Sequence, residues 1–143
     1  MQHSFHMQLQ WDGGRNDVGT LQAERLQTQI SIPPEMDGPG IGTNPDEMLL
    51  GAAATCYIIT LAAMLERAKI QATLKMASEG IVDVTNGVFT YEAIVHNVTI
   101  HLTQTTEEIK QRAKRLAIKA EQTCMISKAL KGNVEIHLNI NFE

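Results

Sequence analysis

From Met48 to Leu65 the chain runs for eighteen residues without a charged side chain, and this stretch constrains the fold more than any other feature. Signals for helix initiation stand just ahead of it. Asn44 suits the N-cap, Pro45 the first helical position, and Glu47 closes a capping box with Asn44. Helical propensity continues to about Lys69, roughly seven turns. An uncharged run of this length reaches the lower limit for a membrane span. It is, however, rich in alanine, interrupted by Gly51, Thr55 and Thr60, without an aromatic belt, and flanked by Asp46, Glu47, Glu66, Arg67 and Lys69. A helix that is apolar all round, in a small acidic chain, reads as the buried centre of a globular domain.

The 143 residues fit a single domain, 1–143, large enough to fold without a covalent staple. Twelve basic against sixteen acidic residues give a net charge of −4. That balance lacks the basic surface expected of a nucleic-acid binder or a polybasic membrane-surface protein. Two cysteines do not make a disulfide scaffold, and Met1–His6 does not resemble a signal peptide. The expectation is a cytoplasmic, soluble protein.

Around the helix the pattern is mixed. His6–Trp11 reads as a short strand, followed by a turn over 12–17 and one or two strands within Val18–Ile32, which Pro33-Pro34 ends. Residues 35–43 form a loop. Ala72–Val84 and Val88–Leu102 read as a hairpin joined at Thr85-Asn86-Gly87. Thr105 or Thr106 caps a second helix, with Glu107 and Glu108 in its first turn and an apolar stripe from Ile109 to Cys124. A short helical turn follows, with Ile126, Ala129 and Leu130 inward. Val134–Phe142 then alternates strictly, as a half-buried strand does. The layout β-β-α-β-β-α-β is an α+β domain.

The two thiols are the chemical candidates. Cys56 shares a helix face with Leu49, Ala52, Ala53, Thr60, Ala63 and Arg67, mostly small residues that let another element approach closely. The opposite face, with Tyr57, Ile58, Leu61 and Leu65, is ordinary core. Cys124 ends an inward stripe, so the two thiols can meet, although each alone also suits a small buried hydrophobe. Their spacing is not that of a zinc site, and no metal is expected. The five histidines read as solvated; His96 and His101 fall on opposite faces of one strand.

Thr43-Asn-Pro-Asp-Glu-Met-Leu-Leu-Gly-Ala-Ala-Ala-Thr-Cys56 resembles the helix carrying the reactive cysteine of the OsmC/Ohr superfamily, the osmotically induced protein C and organic hydroperoxide resistance proteins. Ala120-Glu-Gln-Thr-Cys124-Met-Ile-Ser-Lys-Ala-Leu resembles its second cysteine segment. Gly132–Ile140 is similar to its closing strand, and Gly13-Gly14-Arg15 to its loop arginine. The resemblance implies antiparallel sheets around a long central helix in an intertwined homodimer, with sites built from both chains. It also implies a thiol peroxidase: Cys56 attacks an organic hydroperoxide and becomes a sulfenic acid, Cys124 resolves it to a disulfide, and a dithiol such as a lipoylated protein reduces that disulfide. No bound cofactor is implied. Arg15 would activate thiol and peroxide, held by a carboxylate. The family's Glu falls on Asp46 here, with Glu47 directly after it, so either can take that role, and Arg25 and Arg67 are rival cations. Met125 stands where the family usually has proline. The alternative function is a non-enzymatic dimer binding a small hydrophobic ligand in an apolar interface pocket. A redox sensor or thiol-dependent hydrolase is a third reading, the last needing a histidine near Cys56.

Overall fold

The computed structural model describes residues 1–143. Two compact units, residues 1–48 and 49–143, divide the chain inside its longest helix.

In the first unit, β1 (Met7–Gln10), β2 (Gly19–Ala23) and β3 (Gln27–Ile30) form an antiparallel sheet in sequence order. Gly19 permits the tight pairing of its first two strands: a Cβ there would lie 2.5 Å from both the Gln10 carbonyl oxygen and the Trp11 ring. The intervening turn is closed by the Gly14 N–H donating to Asp17 Oδ2 (3.1 Å) and by Trp11 Nε1 donating to the Gly14 carbonyl (3.0 Å). Within the expected loop, Pro34–Met36 forms one 3₁₀ turn, and Asp37 follows with φ 59°.

Helix α1 (Pro45–Arg67) starts where its cap signals place it. Asn44 Oδ1 accepts the Glu47 N–H at 2.9 Å, whereas the Glu47 carboxylate accepts from the Thr43 hydroxyl at 2.7 Å rather than closing the box. At the other end Lys69 adopts φ 57°, and the N–H groups of Lys69 and Ile70 return to the carbonyls of Glu66 and Leu65. That is a Schellman-type stop. Ala53, Tyr57, Leu61 and Leu65 form one buried stripe at four-residue spacing. On another face Ala52, Ile59, Ala62 and Ala63 are exposed. The helix is long and apolar enough to cross a membrane by length and composition, but its buried stripe makes it the core helix of the fold.

In the second unit β4 (Ala72–Thr85) and β5 (Val88–Leu102) form an antiparallel hairpin with a register shift between Ile81 and Val82. Its turn uses Asn86 (φ 52°) and Gly87 (φ 75°), the left-handed pair a two-residue hairpin requires. Helices α2 (Glu107–Thr123) and α3 (Met125–Leu130) then carry the chain over to β6 (Glu135–Phe142), which lies parallel to β5. Strict alternation identifies β6 as a strand but carries no direction; the helical crossover permits the parallel pairing. Tyr57, Leu61, Val98, Ile100, Ala113 and Ala117 centre the larger core cluster, and Ala53, Ile94 and Val134 a smaller one.

Thr106, one of the two expected caps, accepts the Ile109 N–H at 3.3 Å. Thr106→Ala is expected to cost about 1 kcal/mol of stability, read as a lower urea midpoint.

Two side-chain placements depart from the sequence reading. His96 is fully buried rather than solvated. It shares the parity of Ile94, Val98, Ile100 and Leu102 along β5, so the pleat points it inward. Its Nδ1 lies 2.7 Å from Ser78 Oγ across the hairpin, and its ring stacks on Tyr57 with centroids 5.3 Å apart. In α3, Ile126 and Leu130 pack inward as expected, but Ala129 is exposed and Ser127 is buried instead.

Candidate thiol site

Cys56 lies midway along α1, and Cys124 occupies the break between α2 and α3 as the C-cap of one and N-cap of the other. An extended ψ of 127° at Cys124 turns the chain there. The two sulfurs are hydrogen-bonded to each other as free thiols. Their environments are unequal. Cys56 is partly exposed, whereas Cys124 is 1% exposed.

This asymmetry divides the chemistry. Desolvation is the largest influence on Cys56 and works against its thiolate. It is outweighed by donors: the Cys124 thiol, the N–H groups of Ile126 and Met125, and, last, the Thr60 hydroxyl. The net effect holds the Cys56 pKa below that of an ordinary thiol. The Thr60 hydroxyl also donates to the Cys56 carbonyl at 2.7 Å. Cys124 moves the other way. Burial pushes its pKa up, and so does the bond to Cys56, against opposing contributions from the N–H and hydroxyl of Ser127 and the N–H of Ile126. Of the two, Cys56 is therefore the thiol that ionises more readily, with the Cys124 thiol as a donor to it. No three His, Cys, Asp or Glu side chains gather as a metal site.

A sequence model of one protein family, described as OsmC-like protein, matches residues 38–139. The chain belongs to this family. It is 57% identical over 138 residues to the uncharacterized protein YmaD of Bacillus subtilis (strain 168), covering 95% of this chain and 92% of that one. It is 27% identical over 130 residues to an organic hydroperoxide resistance protein of Xanthomonas axonopodis pv. citri, covering 90% and 88%. Among solved structures, an organic hydroperoxide resistance protein from Elizabethkingia anophelis superposes with a TM-score of 0.80 at 23% identity, covering 100% of this chain and 99% of that one. The last likeness establishes the OsmC-like fold.

The two cysteines singled out in the sequence meet in this OsmC-like chain. Arg15 is exposed in the first unit, its guanidinium donating to Asn16 Oδ1 (2.7 Å) and to the carbonyls of Met36 (2.7 Å) and Asp37 (3.2 Å). Asp46 and Glu47 occupy the first turn of α1, with Glu47 held by Thr43. Thr60, Ser127 and the backbone donors of Met125 and Ile126 escaped the sequence reading. Two signals for them were available. Ser127 follows Cys124 by three residues, the distance from an N-cap to its N3 partner. Position 125 carries an N–H because it is not proline.

Proposed function

We propose that this OsmC-like protein is a thiol-dependent peroxidase for organic hydroperoxides. The observation that carries the reading is the unequal thiol pair: an accessible sulfur with a lowered pKa, hydrogen-bonded to a buried one with a raised pKa. Kinship to the Xanthomonas organic hydroperoxide resistance protein supports the substrate class.

The Cys56 thiolate attacks the distal peroxide oxygen and breaks the O–O bond. The alkoxide takes a proton and leaves as the alcohol, and the sulfur becomes a sulfenic acid. Cys124 attacks that sulfur, forming the disulfide and releasing water. An external dithiol of the lipoyl type then exchanges with the disulfide and restores both thiols. Arg15, whose guanidinium rests on the Met36 and Asp37 carbonyls here, is the cation assigned to the peroxide in this scheme, and Asp46 or Glu47 the carboxylate that would have to take it up during turnover. A homodimer suits the exposed apolar side chains of the isolated chain, Ile59 on α1 and Val84, Val88 and Phe89 at the hairpin tip. Two reduced thiols suit a cytoplasmic setting.

Peptide mass spectrometry of reduced protein after one equivalent of cumene hydroperoxide, with hydrogen peroxide in parallel, tests the reading. The expected result is a Cys56–Cys124 crosslink that forms faster with the organic peroxide. Two untouched thiols would reject it. A second reading, binding of a small hydrophobic ligand, rests on an open groove of about 980 Å³ beside α1, lined by Ile58, Ile59, Ala62, Ile70, Leu74 and Ile109 among others. Neither cysteine lines this groove.

A further inference from the structure

The buried hydroxyl of Ser127 has no evident structural purpose. The side chain is 5% exposed, and its Oγ has no hydrogen-bond partner in the resting structure. Leaving a buried hydroxyl unpaired costs on the order of 1–3 kcal/mol, so its position calls for a reason. The polar atom within its reach is the sulfur of Cys124, three residues earlier at the N-cap of α3. The Ser127 and Ile126 N–H groups address the same sulfur.

We infer that Ser127 is a positioning residue for the second thiol, holding Cys124 and meeting the negative charge that develops on its sulfur during disulfide formation. The inference rests on the peroxidase reading and deepens it. In the resting state the Cys124 thiol donates to the Cys56 sulfur. Once Cys56 is a sulfenic acid that acceptor is gone. Cys124–SH and Cys56–SOH must then yield the disulfide and one water. The Cys124 proton travels to the departing oxygen while the Cys124 sulfur forms the S–S bond. At 1% exposure, Cys124 has no bulk water to meet the charge left as its proton departs. Fixed donors do so instead, as in other preorganised sites. Of the three donors to this sulfur, two are backbone N–H groups that substitution leaves in place. The Ser127 hydroxyl is the one a mutation removes.

The test compares wild type, Ser127→Ala and Ser127→Thr after mixing with one equivalent of cumene hydroperoxide, following sulfenic acid by dimedone trapping and disulfide by mass. In Ser127→Ala, Cys56 oxidation is expected to keep its rate while disulfide formation slows roughly ten- to hundredfold, the range for a hydrogen bond to a charged group. Its pH profile moves to higher pH, and Ser127→Thr restores both. A second measurement needs no peroxidase activity. With Cys56→Ser, Cys124 is the one thiol left, and its thiolate absorbance near 240 nm is titrated with and without Ser127→Ala, using the variant lacking both cysteines as blank. Loss of the hydroxyl is expected to move that titration upward. An unchanged disulfide rate in Ser127→Ala, or an unmoved Cys124 titration, would overturn the inference. If wild-type protein gives neither sulfenic acid nor disulfide with cumene hydroperoxide, the peroxidase reading fails, and the Cys124 titration alone then decides for or against Ser127.

Discussion

Cys56→Ser is expected to lower organic hydroperoxide turnover by about a thousandfold or more, because a serine hydroxyl does not ionise near neutral pH and lacks the nucleophilicity of a thiolate. Folding should be nearly unaffected, since Cys56 is partly exposed and the change is close to isosteric. The reaction of wild-type Cys56 with peroxide should rise with pH through its lowered pKa and then level off, at lower pH than for an ordinary thiol. Cys124→Ser separates the two thiols. It keeps an O–H donor beside Cys56, so the first oxidation persists, but the sulfenic acid has no partner and proceeds to the sulfinic acid under excess peroxide. Stopped-flow oxidation with mass analysis of the products checks all of these. Full turnover in Cys56→Ser would remove Cys56 from the mechanism.

Much of this arrangement is legible in the sequence where one local rule dominates. Asn44-Pro45 starts α1, Asn86-Gly87 turns the hairpin, and the parity of Val134–Phe142 announces β6. Each depends on a single residue's backbone preference or on a two-residue period. The inward stripe of α2 ends at Cys124 and the small-residue face of α1 carries Cys56, so their meeting is accessible from periodicity together with family resemblance. What helix-face reading leaves out is the backbone. Two of the groups that lower the Cys56 pKa are N–H groups of Met125 and Ile126, which every residue except proline carries. Only the break of the helix at Cys124 aims them at a sulfur, and no residue type encodes that break uniquely. Met125 gains its meaning here: a proline at that position would remove one of the two donors. Met125→Pro should therefore move the Cys56 pH profile upward.

Histidine composition misleads in the same region because polarity and parity disagree. Four of the five histidines, His3, His6, His101 and His137, are exposed, as their polarity suggests. At His96 the pleat prevails, and the fold accepts a polar ring in its core by giving Nδ1 the Ser78 hydroxyl and covering the ring with Tyr57. Nε2 has no partner. Burial lowers the His96 pKa, so the ring stays neutral in the folded protein. Tyr57 brings no charge to it: burial, reinforced by Glu121, pushes its phenol up, and its hydroxyl donates to the Ala117 carbonyl at 2.9 Å.

The consequence is acid lability with a definite sign. Below the unfolded-state value of about 6.5 the unfolded chain takes up a proton on His96 that the folded chain refuses. Stability is thus fully present above that range and falls as pH drops toward the depressed folded value, with a slope from this one group of at most about 1.4 kcal/mol per pH unit. His96→Gln retains a hydrogen-bonding partner for Ser78 but cannot ionise. It is expected to be less stable than wild type at pH 7.5 by about 1–3 kcal/mol through imperfect packing, yet to lose less on acidification. Urea unfolding at pH 7.5, 6.5 and 5.5 on both proteins reads the difference in slope, and the exposed carboxylates common to both cancel from it. Parallel lines would mean that the core admits the charged ring, through water reaching Nε2 or through an opening of the Tyr57 stack. Converging lines would make His96 the group through which acid loosens the contact between α1 and the β4–β5 hairpin.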